Sequence, residues 1–230
     1  MDQRDVVIVG AGAAGLMCAL TAGYRGRRVL VLDHANKPGK KILMSGGGRC
    51  NFTNLNTTPA HFVSDNPHFC ISALKRYTAH DFLELVERHG IEWCEKAPGQ
   101  LFCEHSSKDI LQMLLTECEW AGVEIRLDTS IDGIDMVEGG WRIASGKQVW
   151  SSESLVIASG GLSIPTMGAS SFGYQVAEQF GLSVLPVRAG LVPFTLQPDD
   201  KAWLSPLSGL SCDVRVRVGV TEFREPMLIT

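Results

Sequence analysis

The chain has 230 residues, 45% hydrophobic and 20% charged, with a formal net charge of −4, a composition that supports a sizeable core and excludes a disordered chain. No apolar run reaches the roughly 18 residues of a membrane span. The N-terminus lacks the basic flank and small-residue cleavage pattern of a signal peptide, so a cytoplasmic protein without membrane contact is expected. An isoelectric point near 5.9 and the lack of a basic block argue against nucleic acid as a partner. The seven cysteines, at positions 18, 50, 70, 94, 103, 118 and 212, are odd in number and form no CxxC, which fits neither a disulfide framework nor a metal site. The sequence gives no reading of oligomeric state.

Asp5 to Gly15 reads DVVIVGAGAAG. Val6 to Val9 is too short and too β-branched to begin a helix, and it runs into Gly10, Gly12 and Gly15. The stretch therefore predicts a buried strand, a tight turn and a helix start. In such a turn the first glycine adopts unusual backbone angles, the second lets the backbone approach a pyrophosphate, and the third lets helix and strand pack. Phosphates then sit on the free N–H groups of the helix start, at Ala13 and Ala14. Leu16 to Gly26 is helix-permissive, and Arg28 to Leu32 reads as a second buried strand ending at Asp33, 18 residues past Gly15. An acid at that spacing accepts hydrogen bonds from an adenosine ribose. The agreement of all parts points to a dinucleotide site; a glycine-rich turn that only packs tightly is the alternative.

From Pro38 the chain reads PGKKILMSGGGRCNFTN. Three consecutive glycines destabilise helix and strand interiors, so Gly46, Gly47 and Gly48 point to a loop that needs close backbone approach. We read it as a loop lining the cofactor. Lys40, Lys41 and Arg49 offset phosphate charge, and Ser45, Asn51, Thr53 and Asn54 offer hydrogen bonds. A flexible surface loop is the alternative.

GAGAAG followed by GKKILMSGGGRCNFTN resembles the flavoproteins known as aminoacetone oxidase family FAD-binding enzymes, or BaiN/RdsA-like (YhiN-like) NAD(P)/FAD-dependent oxidoreductases. The resemblance implies FAD in a Rossmann-like domain of glutathione-reductase type, with Gly47, Gly48, Arg49, Cys50 and Asn51 beside the flavin. NAD(P)H becomes the candidate electron donor, although no second GxGxxG appears.

Asn66-Pro67 predicts a helix start and Phe69 to Tyr77 a short helix. Thr78 to Asp81 and Ser106 to Asp109 fit the capping-box pattern, opening two amphipathic helices that stop at Gly90 and Gly122. Leu111, Leu114, Leu115 and Cys118 fall at helical spacing and read as core. Between these helices, Ile91 to His105 suggests strand, turn and strand. Here the similar flavoproteins read closer to GRVFP, whereas this chain has GQLFC. His105 is a conceivable proton donor, but a histidine before a helix cap reads better as a solvated turn residue.

From Val123 the period changes. Val123 to Leu127 reads as a third parallel strand, and Ser130 to Val137, Trp141 to Ala144 and Gln148 to Trp150 as a meander. The resemblance places a backbone group of Ile131 at the adenine. Leu155 to Gly161, LVIASGG, reads as a strand whose small residues turn beneath the dinucleotide, at Ala158, Ser159 and Gly160; the similar flavoproteins have ATGG here. Phe172 stands where an aspartate is common in them.

From Gly190 the text looks like the start of a β-rich domain, with Val214, Val216, Val218 and Val220 on one face. The expected organisation is thus α/β: a Rossmann-like FAD/NAD(P)-binding domain over residues 1–189, then the beginning of an inserted β-rich domain over residues 190–230. Members of the family are longer, so the chain is read as a fragment. The expected activity is that of a FAD-dependent oxidoreductase acting on an unidentified small molecule. The alternatives are a nicotinamide-only dehydrogenase and a non-catalytic flavin- or nucleotide-binding module. No acid or base is named by the sequence, and Cys50 lacks a neighbouring cysteine for dithiol chemistry.

Overall fold

A computed structural model describes residues 2–229, and the chain divides after Leu185 into two compact units. In chain order the first unit carries β1 (Asp2–Val9), α1 (Ala13–Tyr24), β2 (Val29–Leu32), α2 (Lys40–Met44), β3 (Asn51–Asn54), α3 (Ile71–Arg76) and α4 (Ala79–Arg88). There follow β4 (Trp93–Ala97), β5 (Gln100–Cys103), α5 (Ser107–Trp120), β6 (Glu124–Arg126), β7 (Gly133–Val137), β8 (Gly140–Ser145), β9 (Gln148–Ile157) and α6 (Phe172–Gln179).

The main sheet has the order β6-β2-β1-β9-β8-β7. β6, β2, β1 and β9 run parallel, and the antiparallel meander β7-β8 extends the sheet from β9. Period-two alternation decides where the side chains go. Ile8, Val29 and Val31 join the helix-side core with Leu16, Ala19, Val86, Met113 and Leu114. Val7, Leu30 and Leu32 face the other way, onto Ile143 and Trp150. Apolar residues therefore run unbroken along β2, because both faces are covered. Each fully buried side chain of this size contributes roughly 1.5–3 kcal/mol of transfer free energy.

Some elements differ from their sequence reading. Gln148 to Trp150 and Leu155 onward are one strand, β9, which pairs with β8 through its first half and with β1 from Trp150 to Ile157. Its polar centre, Ser151 to Ser154, lies opposite the equally polar start of β1. Asn51 to Asn54 forms a strand of a second sheet, β3-β5-β4, and Lys40 to Met44 is helical, so the expected loop is confined to Ser45–Cys50. At the helix caps, Thr78 and Asp81 make the reciprocal box, whereas Ser106 accepts only from the Lys108 N–H. Asn66 closes a local turn onto the His68 N–H at 3.1 Å, and α3 starts later than expected, at Ile71.

The second unit contains α7 (Pro198–Leu204) and an antiparallel hairpin of β10 (Ser211–Val218) and β11 (Thr221–Leu228). Val214 and Val216 are half-buried, but Val218 and Val220 are exposed, because the hairpin turns at Gly219-Val220. Among the described residues no helix is long and apolar enough to cross a membrane.

Candidate dinucleotide site

The turn after β1 uses its three glycines for three different reasons. Gly10 has φ +113°, and a Cβ there would run into the carbonyl of Ala158. The Ala158 N–H donates to the Val9 carbonyl at 2.8 Å, so the end of β9 lies directly on this turn. A Cβ on Gly15 would collide with the Gly10 carbonyl, which is the close packing of helix on strand. A Cβ on Gly12 meets nothing within 4 Å. Gly12 is also the N-cap of α1 and provides no side-chain cap. The first N–H groups of a twelve-residue helix, with their positive dipole end, are left facing open space.

Asp33 closes the arrangement from β2. Its carboxylate accepts from the Ala11 N–H at 2.6 Å and from the Ala35 N–H at 2.8 Å. The sequence reading had this carboxylate accept from a ribose; here it ties the glycine turn to the end of β2. Four lone-pair sites leave capacity for a sugar hydroxyl as well.

These residues open into a cavity of about 580 Å³. Gly10, Gly12, Ala13 and Ala14 line it together with Lys37, Lys40, Lys41 and Ser45. Cys50, Asn51 and Phe52 follow from the glycine loop, and Ala158, Ser159 and Gly160 from the end of β9. Lys41 Nζ reaches the Gly161 carbonyl at 3.4 Å and Ser163 Oγ at 3.3 Å, bridging α2 to the segment after β9. Met17, Phe82, Ile110 and Leu114 supply an apolar wall. Sequence reading took the α5 stripe as plain core; its helical spacing carries no sign that one end faces a cavity.

An adjoining cleft of about 320 Å³ shares Gly10, Asp33, His34 and Ser159 with this cavity and is completed by Ile131, Thr129 and Phe172. Ile131 therefore lies beyond Asp33, outside the main cavity. Gly15 is buried behind the turn, while Gly47, Gly48 and Arg49 are not part of the cavity lining, and Arg49 is exposed. Gly46, Gly47 and Gly48 all have positive φ, as does Cys50 at +48°, so this loop curls left-handed and turns Cys50 inward.

Burial pushes the Cys50 thiol up. Cys103, whose N–H donates to the Arg49 carbonyl at 2.9 Å, is pushed up to about 12 by burial and by the neighbouring Cys50. The structure thus supplies the neighbouring cysteine that the sequence did not reveal, but both thiols are held protonated and packed. His105 pairs with Glu92 at 3.0 Å on an exposed surface, outside both cavities.

A dinucleotide fits what is present. Gly12 leaves a cradle that a side chain would fill, α1 offers uncapped N–H groups, and Lys37, Lys40 and Lys41 line the same cavity. Ser159 Oγ, at the junction of the two cavities, is buried without a hydrogen-bond partner among the described residues. A volume of this size falls in the usual range for ligand pockets, about 300–1,000 Å³.

Over its whole length the chain is 52% identical to the ribosomal RNA dihydrouridine synthase of Escherichia coli K12, covering 58% of that protein. It is 26% identical to the 3-dehydro-bile acid delta(4,6)-reductase of Clostridium scindens over 93% of the chain and 52% of that protein. The chain thus spans little more than half the length of these curated relatives. Among solved structures it resembles the open conformation of a flavocytochrome c3 fumarate reductase, with a TM-score of 0.57 at 21% identity over 79% of the chain and 41% of that chain, a likeness of fold. Residues 4–201 match the HI0933-like protein Rossmann domain, and the chain belongs to that family.

Proposed function

We propose that this chain forms the FAD-holding part of an oxidoreductase that adds hydrogen across a ring carbon–carbon double bond, with a uracil of ribosomal RNA as the substrate of the whole protein. The observation that carries the reading is the 52% identity, over this chain's length and 58% of the relative's, with a protein named ribosomal RNA dihydrouridine synthase. Dihydrouridine differs from uridine by one hydrogen molecule across the C5–C6 bond. The second relative is likewise named for a reduction. The sequence reading, which set nucleic acid aside on overall charge, gives way in this proposal.

When bound, FAD supplies the two-electron transfer, with NAD(P)H as its proposed source of electrons. The chain's own residues bind and orient. The N–H groups of Ala13 and Ala14 and the Gly12 cradle would take the pyrophosphate, and Lys40 and Lys41, which line the same cavity, would offset its charge. The Asp33 carboxylate would take a ribose hydroxyl, Ser159 Oγ would gain a partner, and Ile131, in the adjoining cleft, would lie at the adenine. Cys50 and Asn51 would bound the flavin end, carried there by the left-handed turn of Gly46, Gly47 and Gly48, while Arg49 stays outside the cavity lining. Phe82, Ile110 and Leu114 exclude water from that cavity.

The test is reduction of uracil-containing ribosomal RNA fragments with NADH or NADPH, by this chain and by the full-length E. coli relative side by side, read as the mass gain of one hydrogen molecule on a uridine. Gain by either protein, dependent on added FAD, supports the reading. Consumption of NAD(P)H without any modified uridine by the full-length relative removes the substrate, and failure of both proteins to bind FAD removes the cofactor.

A further inference from the structure

The net charge of −4 hides a strong internal asymmetry. Residues 34–80 contain six Lys and Arg, at 37, 40, 41, 49, 75 and 76, against one acid, Asp65, so this stretch carries +5. Four of the six histidines, at 34, 61, 68 and 80, lie in it as well. Among the described residues none of those six cations is ion-paired, whereas Arg4, Arg28, Arg88, Arg126, Arg142 and Arg217 elsewhere each hold a carboxylate within 4 Å. Unneutralised cations concentrated on one segment of an acidic protein are a site for an anion.

Lys37, Lys40 and Lys41 line the dinucleotide cavity, but Arg49, Lys75 and Arg76 are exposed outside it. Beside the last two lies a second cavity of about 430 Å³ that shares Phe52 and Phe82 with the dinucleotide cavity. Phe52 and Phe82 are tilted against each other at 6.1 Å, and Tyr77, Thr53, Thr57 and His80 complete the space. Phe62, Phe69 and Tyr77 are all at least 40% exposed. The Thr58 N–H donates to Nδ1 of the exposed His61 at 3.0 Å, which leaves Nε2 as the ring's donor. Of the nearby acids, Asp81 is engaged in capping α4 through Thr78.

We infer that residues 49–80 form the docking surface for single-stranded RNA, with Lys75 and Arg76 on its phosphates and an unstacked base lying against Tyr77 in the second cavity. The inference rests on the ribosomal RNA reading and deepens it. Aromatic faces with adjacent cations are how single strands are held: the rings take the bases and the cations take the backbone. The shared Phe52–Phe82 pair puts such a base next to the cofactor cavity. An acidic or neutral ligand without a ring would use only half of this arrangement.

Fluorescence anisotropy with a labelled single-stranded oligouridylate tests it. The chain is expected to bind in a salt-dependent way. Lys75→Ala with Arg76→Ala should weaken binding roughly tenfold and flatten the salt dependence by about 1.4 in the log–log slope, the share of two phosphate contacts on a single strand. Tyr77→Ala should weaken it by a similar factor with an unchanged salt slope, and Tyr77→Phe should restore it, because the ring does the stacking. Arg142→Ala, on the β7–β8 meander, should bind as the parent does. FAD retention, read from flavin absorbance, checks that each variant is folded. Parent-like affinity in the Lys75/Arg76 and Tyr77→Ala variants overturns this surface while leaving the RNA reading standing. No binding by the parent to oligouridylate or to a ribosomal RNA hairpin overturns both.

Discussion

The Asp33 carboxylate accepts the Ala11 backbone N–H at 2.6 Å, linking the acid at the end of β2 to the middle of the glycine turn that follows β1. A charged acceptor on a backbone donor is stronger than a neutral pair, about 1.5–3 kcal/mol net. Asp33→Ala frees two backbone N–H groups and should loosen the turn before any cofactor is added. We expect a lower melting temperature without FAD and a further loss of FAD affinity. Asp33→Asn keeps one acceptor oxygen and should fall between parent and Asp33→Ala in both; equal melting curves for all three would contradict the tie.

Gly10 and Gly12 should separate stability from binding. Gly10→Ala places a methyl group against the Ala158 carbonyl at a φ that only glycine adopts readily. A loss of roughly 2–3 kcal/mol is expected, with a correspondingly lower denaturant midpoint. Gly12→Ala meets no protein atom and has ordinary backbone angles, so its midpoint should match the parent within about 0.5 kcal/mol. Its methyl group enters the cradle, and FAD affinity should fall at least tenfold. Denaturation and FAD titration on the two variants check the contrast.

Glu117 is a buried carboxylate that does not line the cavities described for the cofactor. It accepts from Tyr24 Oη at 2.6 Å and Arg88 at 2.9 Å, and pairs with His89 Nε2 at 2.6 Å. Burial pushes its carboxyl up, but these hydrogen bonds together outweigh burial and hold it below the usual carboxylate range. A depressed folded value means that its stabilisation is complete above the ordinary Glu value and is lost as pH falls through the depressed one. Glu117→Gln should cost roughly 1–3 kcal/mol near neutral pH, and the gap to the parent should close in acid. A gap independent of pH would show that the charge contributes nothing.

The thiols should fall into two classes. Cys103 is pushed up to about 12 and Cys118 to about 11 by burial, while Cys212 is exposed. Alkylation at mildly alkaline pH should label Cys212 first and reach Cys103 and Cys118 only on unfolding. Peptide mass mapping of partially labelled protein reads the order.

The β1-turn-α1 unit was legible in the sequence because its signals are local: a short β-branched run, glycines at fixed offsets and Asp33 one strand later. β3 was not legible, since Asn51 to Asn54 has no apolar alternation and becomes a strand only by pairing with β5, nearly fifty residues on. β9 was split in the reading for a similar reason, its serines finding their place only against the start of β1. Lys40 to Met44 was hidden by the glycines that follow it. Phe82, Ile110 and Leu114 could not be told from core, because the cavity they wall is assembled by elements far apart in the chain. The basic character of residues 34–80 was averaged away in the net charge.

Titration of FAD into this chain, followed by flavin absorbance and fluorescence, tests the dinucleotide site most directly. Saturable binding that shifts the flavin bands, is competed by ADP and is weakened by Gly12→Ala is the expected result. Flavin spectra that stay those of free FAD at saturating protein would contradict the site.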